Sequence, residues 1–228
     1  MASKNNSSSV KTLKFAILAT DVVCFQIIHN QLSVLLGKVA NVPAFAGKWA
    51  LIGGLIFPDE TADQSAERHL LEKSGISNVY KEQLYTFSDV KRDLRGRVVS
   101  VAYMALTNKN PQDLNKARLE TKWCPVKNLP ALAYDHDKIV SCAIERLHSK
   151  IGYTNIAQYL LPEEFTMSEL QTAYENVLGK GLDKRNFRKK ILAGDTLKNT
   201  EKTRKQGVMR PATLYRFSTK KSQIVNIL

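Results

Sequence analysis

The stretch Gly54 to Ile76, GLIFPDETADQSAERHLLEKSGI, constrains this chain most tightly, because its spacing dictates a loop followed at once by a helix. A glycine is followed after five residues by Glu60 and after seven more by Arg68, with Leu70, Glu72, Gly75 and Ile76 behind it. On a helix, positions i, i+3 and i+4 share one face, so carboxylates at 69, 72 and 73 would converge on a divalent cation beside a substrate diphosphate. Only Glu72 is acidic here, since His69 and Lys73 occupy the other two positions. His69 is a poor magnesium ligand, and Lys73 puts a cation where a metal would sit, so water activation by a metal loses its basis. Lys73 has two readings. It neutralises a bound diphosphate directly, which makes a sensor pocket, or it is a solvated helix residue. His69 is expected to make one local hydrogen bond, and Arg68 with Glu60 to set loop against helix through a charge-assisted pair.

The remainder of the chain offers room for one large or two small domains, with 228 residues, 43% of them hydrophobic and 24% charged. No apolar run reaches the roughly 18 residues of a membrane span, and the N-terminal stretch has no apolar signal region, so a cytoplasmic protein without membrane partners is expected. Cys24, Cys124 and Cys142 are odd in number, widely spaced and set among apolar residues, as suits buried free thiols. The net charge is +13, and residues 178–228 hold fourteen Lys or Arg against three acids. That concentration points to a polyanion, with nucleic acid ahead of a membrane surface.

In chain order, residues 1–12 are Ser, Asn and Lys-rich and predict a disordered arm. From Leu13 the segments LKFAIL, DVVCFQII and LSVLLGKV predict strands, the last two forming a hairpin across His29 to Gln31. A loop and short strand over Gly47 to Ile56 lead into the box helix. Arg97 to Leu106 predicts a strand buried on both faces. Asp135 is placed to cap a helix that buries Ile139, Ala143 and Leu147, with Val140 and Ile144 beside them. Strands covered by helices on two sides give an α/β fold, an α/β/α sandwich over 13–152.

A second domain, 153–228, begins where the pattern turns to short helices. Thr166 and Glu169 predict a capping box opening a helix that buries Leu170, Ala173, Tyr174 and Val177 and stops at Gly179 and Gly181. Asp183 caps the next helix, with Leu182 and Phe187 as a hydrophobic staple. Phe187 and Ile191 face inward, which turns Arg185, Arg188 and Lys189 outward. Residues 196–201 and 210–217 then pair around a basic tip at Lys202 to Gly207. Helix, turn, basic helix and hairpin spell a winged helix-turn-helix. Its recognition-helix candidates are Lys184, Arg185, Asn186, Arg188 and Lys189, and its wing candidates Arg204, Lys205 and Arg210. One such module reads few base pairs, so a homodimer on a palindromic double-stranded DNA operator is expected.

The box, SDVKRDLRGRVVSVAY at Ser88 to Tyr103, LAYDH at Leu132 to His136 and MRPATLYRF at Met209 to Phe217 together resemble the Nudix-related transcriptional regulators, which join a Nudix-like sensor to a DNA-binding winged helix. His69 and Lys73 stand where that box carries glutamates, and Ile52 where a proline is usual. The resemblance implies repression of NAD-metabolism genes, an ADP-ribose-like effector with no required cofactor, a homodimer built through the Nudix domains, and little or no hydrolysis. It makes Lys48, Trp49, Arg92, Asp93, Arg95 and Arg97 candidate ligand contacts beside Arg68, Glu72 and Lys73. An active ADP-ribose hydrolase completed by carboxylates from elsewhere, a sugar-sensing regulator of the same architecture, and a protein-docking scaffold are the alternatives.

Overall fold

Strands buried on both faces build the first half of the molecule. In the computed structural model, which describes residues 15–40, 42–109, 119–205 and 210–225, strand β1 (Ile17–Ile28) runs without a break through two of the stretches that the sequence suggests as separate strands. It turns at His29 and Asn30, both with left-handed φ (47° and 57°), into β2 (Gln31–Lys38). Two such residues give the mirror-type turn whose twist matches antiparallel strands, so the turn is one residue shorter than expected.

Five further strands complete the sheet: β3 (Trp49–Ala50), β4 (Ile52–Leu55), β5 (Tyr80–Phe87), β6 (Val98–Leu106) and β7 (Thr121–Pro125). The order is β3-β2-β1-β6-β5, with β4 also paired to β1 and β7 to β2. Among the described strands only β1 and β6 pair in parallel, Ile17 opposite Val98 through Phe25 opposite Leu106. Both are central and apolar on both faces, as a strand covered on two sides must be.

The pleat decides which helix each residue meets. Val22, Cys24, Leu35, Ile52, Tyr103 and Ala105 pack with Ala66 and Leu70 of α1 (Ala62–Ser74). Their neighbours Val23, Phe25, Val34, Leu36, Leu51 and Met104 pack with Ile139, Ala143 and Leu147 of α2 (His136–Tyr153). Neighbours in sequence thus serve opposite helices, which is the α/β/α sandwich. All three cysteines are free, Cys24 and Cys124 buried and Cys142 half-buried. No helix of the described residues is long and apolar enough to cross a membrane.

α2 passes Gly152 and ends at Tyr153, and the core does not stop with it. The cluster containing Leu147 and Ile151 continues through Ile156, Leu160 and Phe165 to Leu170, Tyr174, Phe187 and Tyr215. These belong to a winged helix made of β8 (Phe165–Thr166), α3 (Met167–Leu178), α4 (Lys184–Ala193), β9 (Leu197–Arg204) and β10 (Ala212–Phe217), its sheet ordered β8-β10-β9. The caps are those the sequence calls for. Thr166 Oγ1 accepts from Glu169 N (3.1 Å), Glu169 Oε2 accepts from Thr166 N (2.7 Å), and Asp183 Oδ1 accepts from Asn186 N (2.8 Å).

One expectation changes in the wing. β9 reaches Arg204, three residues past the predicted strand end, and Arg204 pairs with Ala212 instead of sitting at a tip. Its guanidinium donates to Glu169 Oε1 (2.8 Å) and to the Glu164 carbonyl (2.8 Å). The segment 206–209 at the tip, and the arm at 1–12, lie outside the described residues. After β10 the chain returns to the end of α2, where Asn155 accepts from Gln223 N and donates to the Lys221 carbonyl.

Glu169 therefore caps α3 with one oxygen and holds the wing with the other. Glu169→Ala is expected to destabilise the winged helix by about 1–2 kcal/mol in urea denaturation, with Glu169→Gln recovering part because an amide oxygen still caps.

Candidate functional site

Loop and helix of the box are locked together by one ion pair. Thr61 and Gln64 close a capping box at the start of α1, and Gly75 ends it with φ 73°. Arg68 donates through Nε to Glu60 Oε2 (2.8 Å) and through Nη2 to Glu60 Oε1 (2.5 Å) and the Leu55 carbonyl (3.1 Å). Its guanidinium lies 4.0 Å from the Phe57 ring centre. Glu60 accepts in addition from Phe57 N (2.8 Å). Bonds from Arg68 and the Phe57 amide hold its carboxyl down to about 2. Arg68, a candidate ligand contact, spends its fork on loop shape.

The two departures from the acidic pattern turn inward. His69 is buried, and its Nε2 lies 3.1 Å from the Leu55 carbonyl. Burial, with Lys73 and Arg68 nearby, lowers its pKa, so the ring is neutral at pH 7 and Nε2 donates. The ring covers Gly54, where an added Cβ would lie 2.6 Å from His69 Cε1. Gly54 is thus required by the side chain fifteen positions later. Lys73 is not a solvated helix residue. Its ammonium donates to the Gly53 carbonyl, and burial lowers its pKa while Asp21 opposes that shift. Glu72 points away, 3.7 Å from Arg68.

Beside these residues opens a cleft of about 320 Å³. Of the sequence candidates it gathers Lys73, Arg92, Asp93 and Arg95, and it adds Asp21, Tyr134 and His136. Lys48, Trp49, Arg68, Glu72 and Arg97 do not line it. Lys48 is exposed above Phe45, Trp49 lies between Lys38 and Lys122, and Arg97 donates to the carbonyls of Ser88 and Asp89, holding the turn that follows β5.

The floor of the cleft is a buried ion network that sequence reasoning missed. Arg92 donates to Asp21 Oδ2 (3.1 Å) and to both oxygens of Asp135 (2.9 and 3.2 Å). Ser100 Oγ also donates to Asp21 Oδ2 (2.6 Å), and His136 Nε2 faces Asp21 Oδ1 at 3.3 Å. His136 Nδ1 accepts from Leu51 N, so Nε2 carries the proton. Burial resists the charge on Asp21, yet His136, Ser100 and Arg92 hold it well below the usual carboxylate range. Two expectations change here. Arg92, expected at phosphate, has its fork taken up by protein carboxylates. Asp135, read as the side-chain cap of α2, makes no cap bond, because its ψ of 26° is not the extended geometry a cap needs and Arg92 claims both oxygens. The available signals were a lone acid inside the apolar run of β1 and the YDH triplet at Tyr134 to His136.

The cleft walls remain suited to an anion. Arg95 is half exposed, paired with the buried Asp93 at 2.7 Å, and stands 5.8 Å from the Tyr134 ring centre. Tyr134 has a left-handed φ of 57° and packs on Phe45 with centroids 4.3 Å apart. A divalent metal does not fit these residues. Of positions 69, 72 and 73 only Glu72 is a carboxylate, an ammonium stands at 73, and among the described residues no group of three His, Cys, Asp or Glu is placed to hold an ion.

A second surface lies on α4. Lys184, Arg185, Asn186, Arg188 and Lys189 are all exposed, while Phe187 and Ile191 are buried on the opposite face. Lys205 and Arg210 are exposed on either side of the wing tip.

Comparison with known proteins agrees with both halves. The family model described as NUDIX domain matches residues 18–143, and that described as NrtR DNA-binding winged helix domain matches 157–217. The chain is 36% identical over 209 residues to the ADPR responsive transcriptional repressor NtrR of Acinetobacter baylyi, covering 89% of this chain and 82% of that protein. The crystal structure of Shewanella oneidensis NrtR complexed with a 27mer DNA superposes with a TM-score of 0.79 at 37% identity, covering 88% of this chain and 93% of that one. The NUDIX domain of the same protein, crystallised with ADP ribose, gives 0.53 at 38% identity, over 62% of this chain and 94% of that one.

Two outcomes test the box geometry. Gly54→Ala is expected to cost about 1–3 kcal/mol in denaturant unfolding, and to cost much less in a His69→Ala background; equal costs in both would show that the ring is not the obstacle. The Glu60 carboxyl has an ordinary pKa of 4.5 and a folded one of about 2, so between those values the unfolded chain binds more protons. The stability it contributes is complete above about pH 5 and is lost as pH falls toward 2. The melting temperature of Glu60→Gln should therefore fall less steeply than wild type over that window.

Proposed function

The chain belongs to the NrtR-type regulators, a NUDIX domain followed by an NrtR winged helix, and from that membership we propose that it is a transcriptional repressor that binds DNA through α4 and releases it on binding ADP-ribose in the Lys73 cleft. The observation that carries this reading is the inward turn of the box helix, with Lys73 anchored on the Gly53 carbonyl at the cleft wall. A fixed ammonium there neutralises diphosphate without activating water, so the ligand is held and not consumed. Arg95 is placed to add a second cation, and Tyr134 an aromatic surface for the base or ribose.

The basic face of α4 suits the major groove, with Arg185, Arg188 and Asn186 able to reach base edges and Lys184 and Lys189 phosphates. Lys205 and Arg210 flank the wing tip and add backbone contacts. Arg204, held by Glu169, contributes by stiffening the wing. A homodimer places two such helices in successive major grooves of a palindromic operator, and genes of NAD metabolism are the regulated set that the family implies. Effector release requires only that ADP-ribose favour one dimer geometry by about 1–3 kcal/mol, a 5- to 150-fold change in DNA affinity.

DNA release by ADP-ribose, followed by fluorescence anisotropy, separates the parts. Arg185→Ala with Lys189→Ala should weaken DNA binding and flatten its salt dependence by about 0.9 in log-log slope for each phosphate no longer neutralised. Lys73→Ala should keep DNA affinity and need about 10- to 100-fold more ADP-ribose for release. Unchanged DNA affinity in the double variant would sink the assignment of α4. With magnesium present, formation of AMP that is abolished by Glu72→Gln would replace the sensor by a hydrolase.

A further inference from the structure

A second cleft, of about 360 Å³, opens where the end of β6 meets the winged helix and shares no lining residue with the first. Asn108, just past β6, forms part of its wall and donates its amide to the Leu161 carbonyl, so the cleft bridges the two halves of the chain. From the other side come Lys198 of β9 and Arg216 of β10, directly opposite one another in the strand register and both exposed. Among the described residues neither makes an ion pair, although Lys202 and Arg204 farther along β9 are held by Glu164 and Glu169. Lys220 on the rim is paired with Glu163 at 3.1 Å, which leaves the cleft with uncompensated positive charge.

One more group points to a ligand. Gln158 lines this cleft, and its Nε2 is buried without a hydrogen-bond partner among the described residues. A buried amide donor without an acceptor is unfavourable, and an oxygen seated in the cleft beside it would relieve that cost. Tyr159 and Phe217 add aromatic wall beside the charged groups.

We propose that this cleft binds a phosphoryl group, its oxygens taken by Lys198, the Arg216 fork and the Gln158 amide. The planar guanidinium matches phosphate oxygens in pairs, and the lysine adds a point charge. A concave site of this size with aromatic walls suits a small phosphorylated molecule, and a backbone phosphate of bound DNA carries the same chemistry. The site is separate from the Lys73 cleft and does not depend on ADP-ribose being the effector there. Because its walls come from both domains, occupancy acts on the junction between them.

The test uses the full chain and inorganic phosphate, titrated against chloride at equal ionic strength and followed by thermal shift and phosphorus NMR. In a Lys73→Ala, Arg95→Ala background, which takes both ligand cations from the first cleft, phosphate should still bind, and adding Lys198→Ala with Arg216→Ala should lower its affinity at least about tenfold. Gln158→Leu should leave the phosphate-free protein as stable as wild type or more so, and still weaken phosphate. Arg216→Lys controls for folding and should bind with intermediate affinity. If free phosphate does not bind but the same substitutions, Gln158→Leu included, weaken DNA, the phosphoryl group is the operator's. Phosphate and DNA affinities both indifferent to Gln158→Leu and to the double substitution would overturn the site.

Discussion

Arg92 is the residue on which the geometry of this protein turns. Its guanidinium is almost wholly buried between Asp21 and Asp135, so it joins the middle of β1, the loop after β5 and the start of α2 in one ionic contact. Ser100 of β6 and His136 extend the network, and His136 reaches the Leu51 amide next to β4. Such a network contributes little net stability, since desolvation consumes most of the attraction, but removing one partner leaves a buried charge unpaired. Its value is positional. It forms the floor of the cleft beneath Lys73, and its Asp21 is the strand partner of Gly53, whose carbonyl Lys73 meets.

That frame explains why a hydrolase-like box persists without its acids. Glycine, glutamate and arginine have structural work independent of catalysis: Gly54 admits the His69 ring, and Glu60 with Arg68 ties loop to helix. The positions that depart from the acidic pattern, 69 and 73, hold side chains with partners of their own. His69 is a hydrogen-bonded core residue and Lys73 a cleft cation, so the fold is kept while the donor set is exchanged.

What is readable in the sequence divides along the same physical line. Features settled within a few residues are visible there: the strand periodicity, the Thr166 and Asp183 caps, the inward Phe187 and Ile191, and the Arg68 to Glu60 pair. Features settled by distant partners are not. Asp135 carries a sound local cap signal, and a buried arginine 43 positions earlier overrides it. Arg92 and Arg95 look equivalent in sequence, yet one is spent on buried carboxylates in the cleft floor and the other stands half exposed in its wall. Trp49 is next to the right loop, but the pleat turns its ring toward Lys122. Arg204 reads as a tip residue because strand length in a hairpin depends on partners that propensity does not see.

The lysine on the Gly53 carbonyl has a consequence beyond charge. A metal is a second ligand whose occupancy follows its own concentration and yields to chelators, so a metal-dependent pocket reports the product of two chemical potentials. An ammonium carried on the chain is present in every copy at every magnesium level. In the sensor proposed above, the pocket is then left with its nucleotide as the single chemical input, and its half-saturation point does not follow the magnesium level.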